Sequence, residues 1–226
     1  MKRIDPSDLL DIAAMAHIQG VDLRTDLIYA DAAHPLNSTF CEAIYHPDAK
    51  LWLHRDLAAV VLTAASTANT ADYRFVVTDG LRTIDAQARM METDIVRANP
   101  HWTVPGPDML LSQPGGGGHP RAMAVDIYLE TLAGQVVDMG TVLDYFSTNP
   151  ADNPAARDYT FPADILANRA MLEGWMMDAA RAHNTPLLPL PSEWWDFRLP
   201  PEIFNEYAPL ADADLPPAMR MVQRLA

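Results

Sequence analysis

The chain has one cysteine, no apolar run long enough to span a bilayer, and few cations for its size. Cys41 stands alone among 226 residues, so no internal disulfide forms and stability must come from packing. That permits a reducing compartment, and a lone thiol reads as a small hydrophobe rather than a nucleophile. A membrane span needs roughly 18 consecutive apolar residues, whereas the longest candidate, Leu57 to Ala65 (LAAVVLTAA), suits a buried helix. Near the N-terminus, Asp5, Asp8 and Asp11 interrupt what would be the apolar centre of a secretory signal, so the expectation is a cytoplasmic protein. Lysine and arginine number 16 against 30 aspartates and glutamates, a formal charge of -14. Such a chain offers no electrostatic footprint for a phosphate backbone or an anionic lipid surface, so neither nucleic acid nor membrane is expected as a partner.

What is present suits an ordinary folded domain. At 49% hydrophobic and 20% charged, residues 1–226 read as one domain with its own core. Leu51 to Thr67 carries apolar residues at helical spacing. Arg74 to Gly80 reads as a strand closed by a turn, and Ile84 to Ala98 as a helix. Asn99 to Pro120, with four consecutive glycines from Gly115, reads as a long loop. A strand over Ala122 to Leu129, a helix over Asn168 to His183 and a strand-like aromatic segment ending at Phe197 follow. Strands and helices without regular βαβ alternation predict an α+β fold, a small antiparallel sheet flanked by helices. The glycine run is no phosphate loop, because no Lys-Ser or Lys-Thr follows it.

One acid is out of place. Asp126 interrupts an apolar strand, where a carboxylate is costly unless it is paired or bound to a metal. His119 precedes it by seven residues, Glu193-Trp194-Trp195-Asp196 adds two carboxylates beside aromatic rings, and Arg82 follows the Asp79-Gly80 turn. On one straight strand His119 and Asp126 would lie roughly 23 Å apart on opposite faces. His119 is therefore expected on a loop folded back over the strand.

The order Arg82, His119 with Asp126, Glu193 with Asp196 resembles the D-alanyl-D-alanine dipeptidases among the zinc D,D-peptidases. Asp26 to Ala30, Met139 to Asp144 and Asn168-Arg169 extend the resemblance over residues 26–197. It implies a metallo-dipeptidase acting on a small D,D-dipeptide, with a role in cell-wall turnover. His119 and Asp126 would hold zinc, with Asp196 as third ligand; Glu193 would be the general base and Arg82 the oxyanion partner. Asp144 and Tyr29 would hold the free amino end of the substrate. Oligomeric state is not legible.

The chain departs from the family at Asp196, where relatives carry histidine. A His-Asp-Asp set adds a negative charge and makes manganese or another hard divalent metal more competitive with zinc; alternatively Asp196 stands off the metal and leaves a weak site. Gly117 and Gly118 replace two serines, with Ser112 as the nearby hydroxyl, and Ala122 replaces a glycine. Two other readings compete: a D,D-carboxypeptidase acting on peptidoglycan peptides, and a catalytically silent metal- or peptide-binding relative.

Overall fold

The computed structural model describes residues 1–106, 109–149 and 151–222. In chain order the strands are β1 (Leu9–Asp11), β2 (Leu23–Thr25), β3 (Trp52–His54), β4 (Tyr73–Asp79), β5 (Ala124–Thr131), β6 (Leu188–Pro189) and β7 (Asp196–Arg198). The helices are α1 (Ile12–Gln19), α2 (Arg55–Thr70), α3 (Ile84–Glu92), α4 (Asp94–Ala98), α5 (Ala163–Ala182) and α6 (Pro201–Phe204). Among the described residues no helix is long and apolar enough to cross a membrane.

Five strands form one sheet in the order β2-β4-β5-β7-β6, while β1 and β3 pair separately. The fold is α+β, as expected. Its pairings are antiparallel except β2 with β4, which run parallel because α2 lies in the crossover between them. Phe75 and Val77 of β4 stand opposite Leu129 and Ile127 of β5, and all four are fully buried. The ring of Phe75 meets Trp175 of α5, so this face of the sheet is the apolar one. Each such side chain contributes about 1.5–3 kcal/mol on burial. Asp126, Tyr128 and Glu130, which alternate with these along β5, therefore point to the other face, which carries the polar chemistry.

Local sequence explains where elements start and stop differently from the periodicity. Helix α2 begins only at Arg55, because Trp52 to His54 pair with β1 and the His54 ring accepts the Asp56 backbone N–H at 3.4 Å as a cap. The helix expected from Ile84 to Ala98 breaks at Thr93, whose extended backbone (ψ 147°) and hydroxyl bond to the Met90 carbonyl (2.7 Å) end α3. Of the expected loop, Asn99 to Pro120, residues Pro107 and Asp108 lie outside the described residues, and Pro100–Thr103 form a 3-10 turn. The glycine run is pinned: Gln87 accepts from Gly115 N–H (2.7 Å) and donates to Gly116 O (3.1 Å), and Arg121 donates to the Gly115 and Gly117 carbonyls (2.9 and 2.8 Å).

Candidate active site

The site is built on a row of three carboxylates across the sheet. Asp79 of β4 stands opposite Asp126 of β5, which stands opposite Asp196 of β7. A β-bulge makes the first pairing. Val77 faces Ile127, yet Asp79 rather than Thr78 faces Asp126, so one extra residue on β4 turns Asp79 onto the polar face.

His119 does not lie on β5. It opens a 3-10 turn, His119–Arg121, whose last backbone position is Ala122 in the left-handed region (φ 54°), and the chain then folds into β5. Its Nδ1 donates to the Gly80 carbonyl at 2.8 Å, which fixes the ring and aims Nε2 at the carboxylates. Nε2 lies 3.6 Å from Asp126 Oδ1 and 3.4 Å from Asp196 Oδ2.

Two guanidiniums alternate with the acids. Arg82 donates through Nε to Asp79 Oδ2 at 2.8 Å and reaches Asp126 Oδ2 at 3.4 Å. Asp79 Oδ1 also accepts from the Tyr45 hydroxyl (2.7 Å) and Gly80 N–H (2.8 Å), so Asp79 is nearly saturated. Arg198 grips Asp196 side-on, Nε to Oδ1 at 2.8 Å and Nη2 to Oδ2. Glu193 is buried at the same cavity and its carboxylate has no hydrogen bond among the described residues. Asp144, in the left-handed region (φ 56°), accepts the Tyr29 hydroxyl. Such backbone strain is retained where surrounding structure enforces it, commonly at functional sites.

Burial and charge together set the protonation. Burial and the Arg82 charge oppose a proton on His119, but Asp126 and Asp196 prevail and raise its pKa to about 10. Burial, then the charges of Asp196 and Asp126, push Glu193 well above the usual carboxylate range. Burial, reinforced by Asp126, lifts Asp144 to about 8 against the opposing Tyr29 hydroxyl and Arg82. Burial also works against ionised Asp196, yet the Arg198 guanidinium and His119 hold it far below the ordinary range.

A divalent cation fits this chemistry. Asp126 Oδ1 is buried without a hydrogen-bond partner and faces His119 Nε2, a pair of open donors of the kind zinc takes. Asp79, His119 and Asp126 offer donor atoms that all lie within 4.8 Å of one another. Asp79 is the poorer donor of the three because its oxygens already serve Tyr45, Gly80 and Arg82. Asp196 is close to His119 but shares its carboxylate with Arg198.

The sequence therefore brought together Arg82, His119, Asp126, Glu193, Asp196 and Asp144, which line one cavity of about 30 Å³. Tyr29 reaches it through Asp144. Asp79, Tyr45 and Arg198 were missed. The Asp79-Gly80 turn was visible, but the bulge that re-aims Asp79 was not, and Arg198 lies one residue past the aromatic segment ending at Phe197. A larger cavity of about 570 Å³ lies along the same face, walled by Arg24, Tyr128, Glu130 and Trp194. Its arginine is already paired with Glu130 (3.1 Å) and Tyr128 (2.8 Å), so it lacks the open reactive groups of the smaller one.

A buried acid row, an oriented histidine and an unpaired glutamate make a site able to hold a cation and to move a proton. The chain belongs to the M15 peptidase family, described as D-ala-D-ala dipeptidase, whose profile matches residues 7–212. It is 27% identical over 196 residues to the D-alanyl-D-alanine dipeptidase of Escherichia coli (strain K12), covering 87% of this chain and 86% of that protein. Among solved structures it is similar to the Serratia marcescens L-Ala D-Glu endopeptidase ChiX, with 20% identity and a TM-score of 0.37, over 66% of this chain and 80% of that one.

Proposed function

We propose that the protein is a metal-dependent dipeptidase that hydrolyses D-alanyl-D-alanine or a close D,D-dipeptide in the cytoplasm, in cell-wall turnover. The observation that carries this is the convergence of three open, buried groups, His119 Nε2, Asp126 Oδ1 and the Glu193 carboxylate, beside the Arg82 guanidinium. Zinc or another divalent cation, held by His119, Asp126 and Asp196, would supply a Lewis acid and a more acidic water.

Glu193 takes the proton of the attacking water. Burial and the neighbouring acids raise its pKa, which makes its carboxylate a stronger proton acceptor than that of an exposed glutamate. Arg82, anchored by Asp79 and Asp126, meets the negative charge that develops on the carbonyl oxygen. Asp144, positioned by Tyr29, accepts the free ammonium of the substrate, and the arriving positive charge favours its ionised form. Arg198 changes the charge reckoning expected from the residues alone: paired with Asp196, it brings the His-Asp-Asp set from -2 to -1, close to a His-Asp-His set. At about 30 Å³ the cavity admits water-sized groups. A dipeptide needs it to widen, and Leu110 and Ser112 in its wall belong to no helix or strand.

Elemental analysis of protein purified without added metal, paired with hydrolysis of D-alanyl-D-alanine, tests the reading. Glu193→Gln is expected to lower kcat by about 10²- to 10⁴-fold with metal content unchanged. Loss of the metal along with activity would make Glu193 a ligand instead. N-acetylation of the dipeptide is expected to abolish cleavage; equal rates on both forms would favour the carboxypeptidase reading. A chain that binds metal and cleaves neither would be the silent relative.

A further inference from the structure

The glycine turn before His119 leaves a space that two other residues face. Gly117 has φ +78°, a conformation in which a side chain is strained. A methyl group placed on it would stand 3.1 Å from Ser112 Oγ and 3.8 Å from Arg198 Nη1. The hydroxyl and the guanidinium thus converge on the room that a side chain at position 117 would occupy.

Both donors are open. Arg198 spends Nε and Nη2 on Asp196, and its side chain is only 13% exposed. Nη1 makes no hydrogen bond among the described residues, and neither does Ser112 Oγ. Both residues line the same cavity as Glu193 and Asp144. A cationic N–H and a neutral O–H aimed at one point match a carboxylate, the acceptor that takes a charge-assisted bond and a second bond together. Asp196 holds the guanidinium in one orientation, so little side-chain freedom is lost when the anion arrives.

We propose that Arg198 and Ser112 form the anchor for the terminal carboxylate of the substrate, in the cavity that Asp144 also lines. This rests on the dipeptidase reading above and adds to it the specificity for a free C-terminus. It also assigns a second role to Arg198: the residue that compensates Asp196 is the one that reads the substrate.

The test compares binding with turnover. Zinc-loaded Glu193→Gln protein is titrated calorimetrically with D-alanyl-D-alanine and with its C-terminal amide, and the parent protein is assayed for hydrolysis of both. The acid is expected to bind roughly 10- to 100-fold more tightly than the amide, the range of one to two hydrogen bonds to a charged group. In the same background Ser112→Ala is expected to narrow that gap several-fold and Arg198→Gln to erase it. Zinc content is measured for each protein; if Arg198→Gln loses zinc, the parent comparison and Ser112→Ala, which does not touch Asp196, decide. Equal affinity for acid and amide, or a gap unchanged in Ser112→Ala, overturns the anchor even if the dipeptide is hydrolysed. Tighter binding of the acid without any hydrolysis upholds the anchor and overturns the dipeptidase reading. If neither compound binds, both fall.

Discussion

Two carboxylate-guanidinium pairs flank His119 and Asp126, and they differ in what they leave unspent. On the β4 side, Asp79 is bonded by Tyr45, Gly80 and Arg82, and Arg82 also reaches Asp126 and stands 5.5 Å over the Tyr29 ring. On the β7 side, Asp196 is bonded by Arg198 and has His119 Nε2 at 3.4 Å, and Nη1 of Arg198 makes no hydrogen bond among the described residues. The first pair is the more heavily bonded, so Arg82 is held rigidly where it borders the cavity. The second presents groups to the cavity. Similar ion pairs at similar depth thus differ in how firmly their guanidinium is fixed and in how many donors it leaves open, according to how many other partners surround them.

Breaking each pair measures that difference. Arg82→Gln removes the guanidinium counter-charge shared by two buried carboxylates and is expected to cost about 3–5 kcal/mol in chemical denaturation. Arg198→Gln strands one, which keeps His119 beside it, and is expected to cost roughly 1–3 kcal/mol. Equal losses would mean that the β7 pair is as structural as the β4 pair.

A smaller effect separates Asp196 from its companion. Asp196→His by itself leaves the Arg198 guanidinium unpartnered next to the cation site. It is expected to bind zinc roughly 10- to 100-fold more weakly than the double variant Asp196→His with Arg198→Met. Equilibrium dialysis with elemental analysis measures both, and equal affinity would remove Arg198 from the electrostatics of the site.

Asp144 sharpens the comparison through pH. Its folded pKa of about 8 lies above its ordinary value of 3.8, so the folded state holds a proton that the unfolded state releases. Stability from this group is present at low pH and is lost as pH rises through that window. Asp144→Asn is expected to be more stable than the parent at pH 8, on the order of 1 kcal/mol or a few degrees in Tm, with the gap shrinking toward pH 4. A gap independent of pH would show that Asp144 keeps its charge in the folded protein.

Least is expected at Ala122. Returning it to glycine relieves a left-handed backbone (φ 54°), a gain of roughly 1 kcal/mol, but deletes a fully buried methyl group, a loss of about 0.8 kcal/mol. Tm should move by little, and a large shift either way would mean that one of the two effects is absent.

The sequence alone determined the residue types and their order: a histidine before an acid in an apolar strand, an arginine after an Asp-Gly turn, and a glutamate three residues before an aspartate. Those are local facts, and burial of Asp126 followed from the apolar residues around it. The α+β class was legible for the same reason, because periodicity reports one element at a time. Only the tertiary structure decided which acids share a face. The extra residue at Thr78 that turns Asp79 toward Asp126, and the β5–β7 register that sets Asp196 beside it, depend on pairing between strands far apart in the chain. Arg198 is the sharpest case: next to Asp196 in sequence by two, it becomes its partner because both fall on one side of β7, and it reaches Gly117 because β7 lies against β5. Spacing along a strand fixes a side, but only the fold supplies the neighbour across it.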